Sequence, residues 1–230
     1  MAPRPDNFWA GRRRLGAEVG RGMNALRMCV AGCVAFAAGV NAFAEKAAKS
    51  SPDGARFPFV EKAALPCVVY GNADDKDKRL WAPSGWMGDV DFIEFDDSCK
   101  DNPHSGSTCI KVTFKDPTGW GGIVWQNPAE NWGNDPGGVD LTGAKQFVVW
   151  ARGEHGGEAI SLKVGGLGRD KPYFDTVSIG RENIHLGKDW KRYTLQLGGK
   201  NLQRIISGFV FAVQGKGPET IVYLDDIRYE

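Results

Sequence analysis

Short segments that alternate apolar and polar side chains constrain this chain more than any other feature. In residues 108–114, Ile110, Val112 and Phe114 share one parity, whereas Lys111 and Thr113 share the other. The same period of two recurs in residues 159–164 and 191–197. A strand with one apolar face packs that face on a second sheet and leaves the other face to solvent. The pattern therefore predicts an all-β chain that forms a two-sheet antiparallel β-sandwich.

Ten strands are predicted in all, with Gly, Pro, Asn or Asp in nearly every gap and no convincing helical period. They cover residues 67–70, 90–95, 108–114, 122–126, 145–152, 159–164, 173–179, 191–197, 208–214 and 220–229. The segment 208–214 is apolar on both parities, which predicts a central strand. A change of parity at Asp225 and Asp226 predicts a β-bulge in the last strand.

The first 44 residues have the pattern of a signal peptide. An apolar run from Met28 to Val40 is too short to span a bilayer, which takes about 20 residues, and it is followed by a small-x-small cleavage signal that ends at Ala44. Translation from Met23 is one alternative, and lipid attachment at Cys33 is another. Residues 45–63 are predicted to be a linker and residues 64–230 a single domain, secreted or periplasmic, with no transmembrane segment in the mature chain.

Export implies an oxidising compartment, in which cysteines are first considered as disulfides. Cys99 and Cys109 flank the turn-rich sequence DNPHSGST, which would reverse the chain and bring two strand ends together. A Cys99–Cys109 disulfide is therefore predicted, and Cys67 is expected to be a small buried apolar residue.

A cluster of aromatic and amide side chains points to the kind of ligand. Three of the eight tryptophans (Trp120, Trp125 and Trp132) lie in the fifteen residues 119–133. Flat aromatic faces stack on the C–H faces of a sugar ring, and amides bond its hydroxyl groups. The expected amide contacts are Gln126, Asn127 and Asn131. Parity puts Trp125 on the face of Ile123, so Trp125 is a core residue in one interpretation and a ligand contact in the other.

A second polar patch lies on the strand predicted at 145–152. Trp150 and Arg152 share a face with Gln146, which is typical of a surface that recognises a polar ligand. The alternative is that Trp150 covers the sheet and that Arg152 pairs with Glu154 or Asp140. We predict a ligand platform made of Trp125, the loop residue Trp132, Trp150 and Arg152, and expect Trp81 and Trp86 to add a second aromatic wall.

Four segments resemble the galactose-binding-like jelly-roll domains that include many bacterial carbohydrate-binding modules. They are PHSGSTCIKVTF, DLTGAKQFVVWARG, DWKRYTLQLGG and IVYLDDIRYE, and together they extend over residues 65–230. The resemblance implies a jelly roll and, in many relatives, a structural Ca²⁺ near the last strand. The corresponding positions are Asp225 or Asp226, with partners among Asp74, Asp75 and Asp77. The alternative is that residues 73–78 form a solvated loop and that Asp225 and Asp226 cap the bulge without binding metal.

Other functions have weaker support. A net charge of +1 without a basic cluster in the predicted domain argues against nucleic acid or an anionic membrane. Asp89, Asp91 and Glu94 resemble the carboxylate strand of laminarinase-type glycoside hydrolases, but Asp89 stands in place of the nucleophilic glutamate. The three histidines lack zinc-ligand spacing.

The sequence therefore predicts a secreted, monomeric, non-catalytic domain that binds a poly- or oligosaccharide. A surface domain that meets another protein is the main alternative, and a glycoside hydrolase the weaker one.

Overall fold

The computed structural model describes residues 60–230, so the predicted signal peptide, Cys33 and nearly all of the linker lie outside the described residues. Thirteen strands form within the described part of the chain. Their bounds are β1 Glu61–Lys62, β2 Cys67–Tyr70, β3 Ala82–Gly88, β4 Ile93–Cys99, β5 Cys109–Phe114, β6 Trp120–Gln126, β7 Val139–Asp140, β8 Gln146–Gly153, β9 Ala159–Gly165, β10 Ser178–His185, β11 Lys191–Gln196, β12 Ser207–Gln214 and β13 Thr220–Tyr229.

Two antiparallel sheets contain eleven of these strands and pack face to face. The five-stranded sheet has the order β10-β9-β12-β6-β3, and the six-stranded sheet has the order β11-β8-β13-β5-β4, with β2 paired to β13 beside β5. The short β1 and β7 pair in parallel. The prediction of an all-β, two-sheet antiparallel sandwich is confirmed.

Alternate residues of each sheet fill the core between them, as the parity of the sequence predicts. Ile110, Val112 and Phe114 of β5 belong to one continuous cluster of buried side chains, together with Ile160 and Leu162 of β9. Strand β12, apolar on both parities, lies in the middle of the five-stranded sheet. Burial of this apolar surface is the main driving force for the fold.

The bulge predicted in the last strand is present. The register of β13 against β8 shifts between Asp225 and Arg228, and Asp226 has a left-handed backbone with φ of 45°. The extra residue changes the parity of the strand, so that both Leu224 and Ile227 reach the core.

Three segments differ from the prediction. Residues 82–88, expected to be a loop, form β3. The free edge of β6 supplies their hydrogen-bonding partners. The local sequence does not predict this strand, because it contains Pro83 and two glycines, which weaken a strand pattern. Residues 90–92 form a 3₁₀ helix rather than the start of a strand. Residues 173–177 lie in a loop, and β10 begins only at Ser178.

A second 3₁₀ helix, Ala73–Lys78, precedes β3. Within residues 60–230, no helix is long and apolar enough to cross a bilayer.

Candidate functional site

Trp132 lies over the outer face of the five-stranded sheet, where the chain leaves room for its ring. Gly85 of β3 is directly beneath: a Cβ at this position would come within 2.9 Å of Trp132 Cζ2 and of the Gln126 side chain. Any larger residue would therefore displace the tryptophan. The ring is partly exposed, as expected for a side chain that contacts ligand.

The three amides predicted to contact a ligand instead shape the loop that carries Trp132. Gln126 is fully buried, where its Oε1 accepts a hydrogen bond from Ser84 Oγ (3.0 Å) and its Nε2 donates to the Asn131 carbonyl (2.9 Å). Asn131 Oδ1 accepts from the amides of Gly133 (2.9 Å) and Asp135 (3.3 Å). Asn127 Nδ2 donates to the carbonyl of Leu80, and its Oδ1 accepts from the Gly138 amide. These contacts fix residues 127–138 as a defined platform for Trp132.

The floor of this face is made of small and short side chains that are at most 5 % exposed. Gly122 and Val124 of β6 lie beside Ala212 and Val210 of β12, which they face across the ladder. A Cβ on Gly122 would approach Met87 Cε to 2.9 Å, so the Met87 side chain crosses the floor there. We call this surface, from Trp132 across the floor to Trp120, the tryptophan face.

Trp120 closes the far end of the tryptophan face. It has the parity of Gly122 and Val124, because Gly121 between them points at Ile93 and Phe114 in the core. Its ring lies beside Gly88, and it is partly exposed. Both ends of the surface therefore carry an indole.

A lysine and a serine give the tryptophan face its polar groups on the side of β9. Lys163 pairs with Val210 and Ser161 with Ala212. Partial burial lowers the pKa of Lys163, against the opposing influence of Asp175 and Glu182.

Trp125 does not belong to this surface. It is 0 % exposed and packs between the sheets against Phe209, with 4.9 Å between ring centroids. Trp125 is therefore a core residue, and we do not include it among the residues proposed below to contact ligand. Trp81 is also buried, with its indole N–H bonded to the Ile205 carbonyl, whereas Trp86 lies exposed at the sandwich edge beside Phe95.

Trp150 and Arg152 lie on the outer face of the opposite, six-stranded sheet. The His104 ring stacks on Trp150 at 3.8 Å. Arg152 is buried with its guanidinium 3.6 Å from the centre of the Tyr223 ring, donates to the Asp101 carbonyl (2.9 Å) and approaches Glu154 (3.7 Å). The structure therefore does not bring Trp150 and Arg152 together with Trp132. It shows the alternative arrangement, in which Trp150 covers the sheet and Arg152 pairs with Glu154.

The same outer surface accounts for Asp225 and Asp226. Asp225 Oδ2 accepts from the amides of His104 (2.9 Å) and Ser105 (3.2 Å), and Oδ1 from the Asp226 amide (2.8 Å). Asp226 contacts His104 Nδ1 at 2.6 Å and Arg228 at 3.7 Å. The oxygens that Ca²⁺ would need are thus engaged by the loop, and in residues 60–230 no group of three or more His, Cys, Asp or Glu side chains converges on a metal position. Calcium binding at Asp225 or Asp226 therefore stays a prediction.

Cys99 and Cys109 are directly opposite each other across β4 and β5. Both are buried free thiols in the structure, as is Cys67. The predicted loop reversal is present, and the predicted disulfide itself stays a prediction.

The three carboxylates of the hydrolase alternative do not share a strand face. Asp89 precedes the 3₁₀ helix and accepts from the Trp120 amide (3.3 Å), and Asp91 lies within that helix. Glu94 is on β4 and pairs with Lys115. The arrangement that suggested this chemistry is therefore absent from the structure of residues 89–94.

Sequence reasoning missed two parts of the tryptophan face. The parity of β6 already places Trp120 with Gly122 and Val124, away from Trp125, so this grouping could have been found. The contribution of Gly85 and Met87 could not have been predicted, because their strand, β3, has no clear sequence signal.

The topology and the core define the class of fold: a jelly-roll β-sandwich. Among solved structures, the chain is similar to a family 30 carbohydrate-binding module, with a TM-score of 0.50 and 13% identity over 73% of this chain and 99% of that chain. Further similar structures are the family 11 module of the cellulosomal cellulase Lic26A-Cel5E of Clostridium thermocellum (TM-score 0.44, 11% identity, 73% and 95% covered) and TmCBM61 in complex with β-1,4-galactotriose (TM-score 0.39, 19% identity, 65% and 88% covered).

At these identities the similarity shows the fold, which carbohydrate-binding modules share. No protein-family model matches the chain. No curated protein matches it.

Proposed function

We propose that this domain binds a carbohydrate chain on the tryptophan face without cleaving it. The observation that carries the proposal is the placement of Trp132 and Trp120, both partly exposed, at the two ends of one floor of small side chains. Indole rings stack on the apolar faces of sugars. Because the floor between the two indoles is buried, the indoles are the groups that a sugar would contact. The jelly-roll neighbours support the proposal, since several of them are carbohydrate-binding modules.

The size of the tryptophan face suits an oligosaccharide. Trp120 and Val124, which lies under the Trp132 end, are four residues apart on β6, or about 13 Å at 3.3 Å per residue. Two stacking positions at this separation would hold a short run of sugar units. Lys163 would donate hydrogen bonds to hydroxyl oxygens along one side, whereas Ser161 is buried.

Export and a non-catalytic role belong to the same proposal. The apolar run 28–40 and the cleavage signal at Ala44 support secretion or a periplasmic location. Affinity from one or two stacked indoles would be micromolar to millimolar, as is ordinary for a monomeric binding domain.

Substitution of the two indoles tests the proposal. On a glycan array and in titration calorimetry, Trp132→Ala should weaken binding about tenfold and Trp120→Ala by a similar factor, because each removes one stacking contact. Trp86→Ala is the matched control: it removes an exposed indole (41 % accessible) from the sandwich edge and should leave affinity unchanged. Equal binding by wild type and the Trp132→Ala, Trp120→Ala double variant would refute the site.

A protein-binding role is the second candidate, and one observation favours it. Trp86, Val90 and Phe92 are 40–46 % exposed within seven residues at the open edge of the sandwich. Clustered exposed apolar side chains are typical of protein contacts. Under this alternative, Trp86→Ala would abolish capture of a protein partner while Trp132→Ala would not.

A further inference from the structure

A cavity of about 380 Å³ lies next to the tryptophan face, at the end of the sandwich where β3 begins. One side is polar, with Lys76, Arg79 and Asp97, and the other is formed by Trp81, Pro83 and Gln126. Nothing in the sugar-stacking arrangement above uses the polar side.

Arg79 has an unused hydrogen-bond donor. Its side chain is 5 % exposed and its guanidinium lies 4.6 Å from the centre of the Tyr70 ring. Nη1 pairs with Asp97 (3.3 Å) and Nη2 donates to the Asn72 carbonyl, whereas the buried Nε–H has no hydrogen-bond partner among the described residues. Buried donors are rarely left unpaired. Arg79 lines the cavity, but its Nε atom is itself closed off from solvent, so an acceptor that enters the cavity reaches this N–H only when the side chain shifts toward it.

The charge of the cavity selects the kind of acceptor. Asp97 contacts both cations, Arg79 through Oδ2 and Lys76 through Oδ1 (3.0 Å). Two cations against one carboxylate leave one positive charge. Lys76 is 58 % exposed and lies at the rim, where it can turn toward an incoming anion. A carboxylate fits this donor set, because hydrogen bonds between cationic donors and carboxylates are the stronger class.

Gln126 connects the cavity with the tryptophan face. Gln126 lines the cavity, and its side chain lies over Gly85 next to the Trp132 ring. A sugar stacked on Trp132 therefore has the cavity beside it, across the first residues of β3. We propose that the cavity is a carboxylate subsite, and that the carbohydrate bound by this domain carries uronic acid units. The part of this inference that concerns sugar binding rests on the proposed function, and the part that concerns the carboxylate rests on Arg79 and Lys76.

The Arg79 Nε–H resonance tests the subsite by itself. In ¹⁵N-labelled protein, D-galacturonate should shift this resonance saturably, and the methyl ester of D-galacturonate should not, because the ester lacks the charge. Arg79→Lys, which removes the resonance, assigns it. The shift should persist in Trp132→Ala. No shift with the acid, or equal shifts with acid and ester, would overturn the subsite whether or not a polysaccharide binds.

The chain ligand is tested with tri-galacturonate and its fully methyl-esterified form. The acid should bind about tenfold tighter than the ester. Lys76→Gln should reduce this preference about threefold, as expected for an exposed charge. Lys78→Gln is the matched control, since Lys78 is on the same 3₁₀ helix and 81 % exposed but does not line the cavity.

The outcomes separate the two proposals. Trp132-dependent binding with equal affinity for acid and ester would leave the sugar site standing and overturn the carboxylate subsite. Equal losses in Lys76→Gln and Lys78→Gln, or binding of poly-L-glutamate as tight as that of polygalacturonate, would overturn it as well, because the effect would then be one of general charge.

Discussion

At the scale of the residue, buried polar side chains in this domain mostly serve the loops. Gln126 and Asn131 have the chemistry of sugar-binding amides, yet their donors and acceptors are used to hold residues 127–138. Asp225 does the same for the loop of residues 101–107 on the opposite face. A buried amide or carboxylate that bonds backbone groups removes the cost of leaving those groups unpaired, which is a sufficient reason for its presence.

The burial of Asp225 predicts an unusual dependence of stability on pH. Desolvation raises the pKa of Asp225 to about 6, from 3.8, although three backbone amides favour the charged form. The folded protein thus binds this proton more tightly than the unfolded chain, so the stability contribution of Asp225 is greatest below pH 4 and is lost as the pH rises toward 7.

Asp225→Asn should reveal this in urea unfolding. Relative to the variant, the wild type should lose about 2 kcal/mol of unfolding free energy between pH 4 and pH 7. A difference that is independent of pH, or that grows in the wild type's favour, would contradict the assigned cause. Titration of the Asp225 carboxyl by NMR, with a midpoint near pH 6, is the direct check.

At the scale of the element, pairing with the edge of a neighbouring strand decides whether a segment with a weak local pattern forms a strand. Strand β3 forms on the edge of β6, and β4 on the edge of β5, where a bulge precedes Cys99. The pairing sets Cys99 opposite Cys109. Facing residues of an antiparallel ladder have Cα atoms about 4.5–5.5 Å apart, which is within the range that disulfides bridge.

We therefore predict that the protein forms a Cys99–Cys109 disulfide under oxidising conditions, which closes the loop that contains His104. Burial raises the pKa of Cys109 to about 12, so native-state alkylation is a poor probe. Alkylation in denaturant, with and without prior reduction, should show a mass difference of two alkyl groups. Reduction should lower the unfolding free energy by about 2–3 kcal/mol. Two labelled cysteines at these positions without reduction would contradict the prediction.

At the scale of the whole molecule, the two sheets present outer faces of different character. The six-stranded sheet is covered by its own loop, with His104 on Trp150 and Asp101 on Arg152. The five-stranded sheet has a floor of small residues with an indole at either end. Trp132 and Trp150, which the sequence grouped together, thus lie on opposite faces with different surroundings, and we expect them to have different roles.

Single substitutions should separate those roles. Trp150→Ala should cost about 2 kcal/mol of unfolding free energy, because it removes the surface on which His104 stacks, and should leave carbohydrate affinity unchanged. Trp132→Ala should show the reverse, with little loss of stability and weaker binding. Both quantities come from urea denaturation and calorimetric titration of the same preparations. The opposite pattern would place the binding surface on the six-stranded sheet.

The sequence by itself determined the sandwich, the core faces of most strands, the central place of β12 and the bulge at Asp225 and Asp226, because side-chain parity is a local property that burial enforces. Tertiary structure decided the rest. It formed β3 on a free edge, buried Trp125, and divided the predicted platform of Trp132, Trp150 and Arg152 between two faces. Side-chain parity predicts that a residue faces outward from its own sheet. It does not predict which of the two sheets contains the residue or which loop covers it, because these depend on the order of strands, which is not a local property of the sequence.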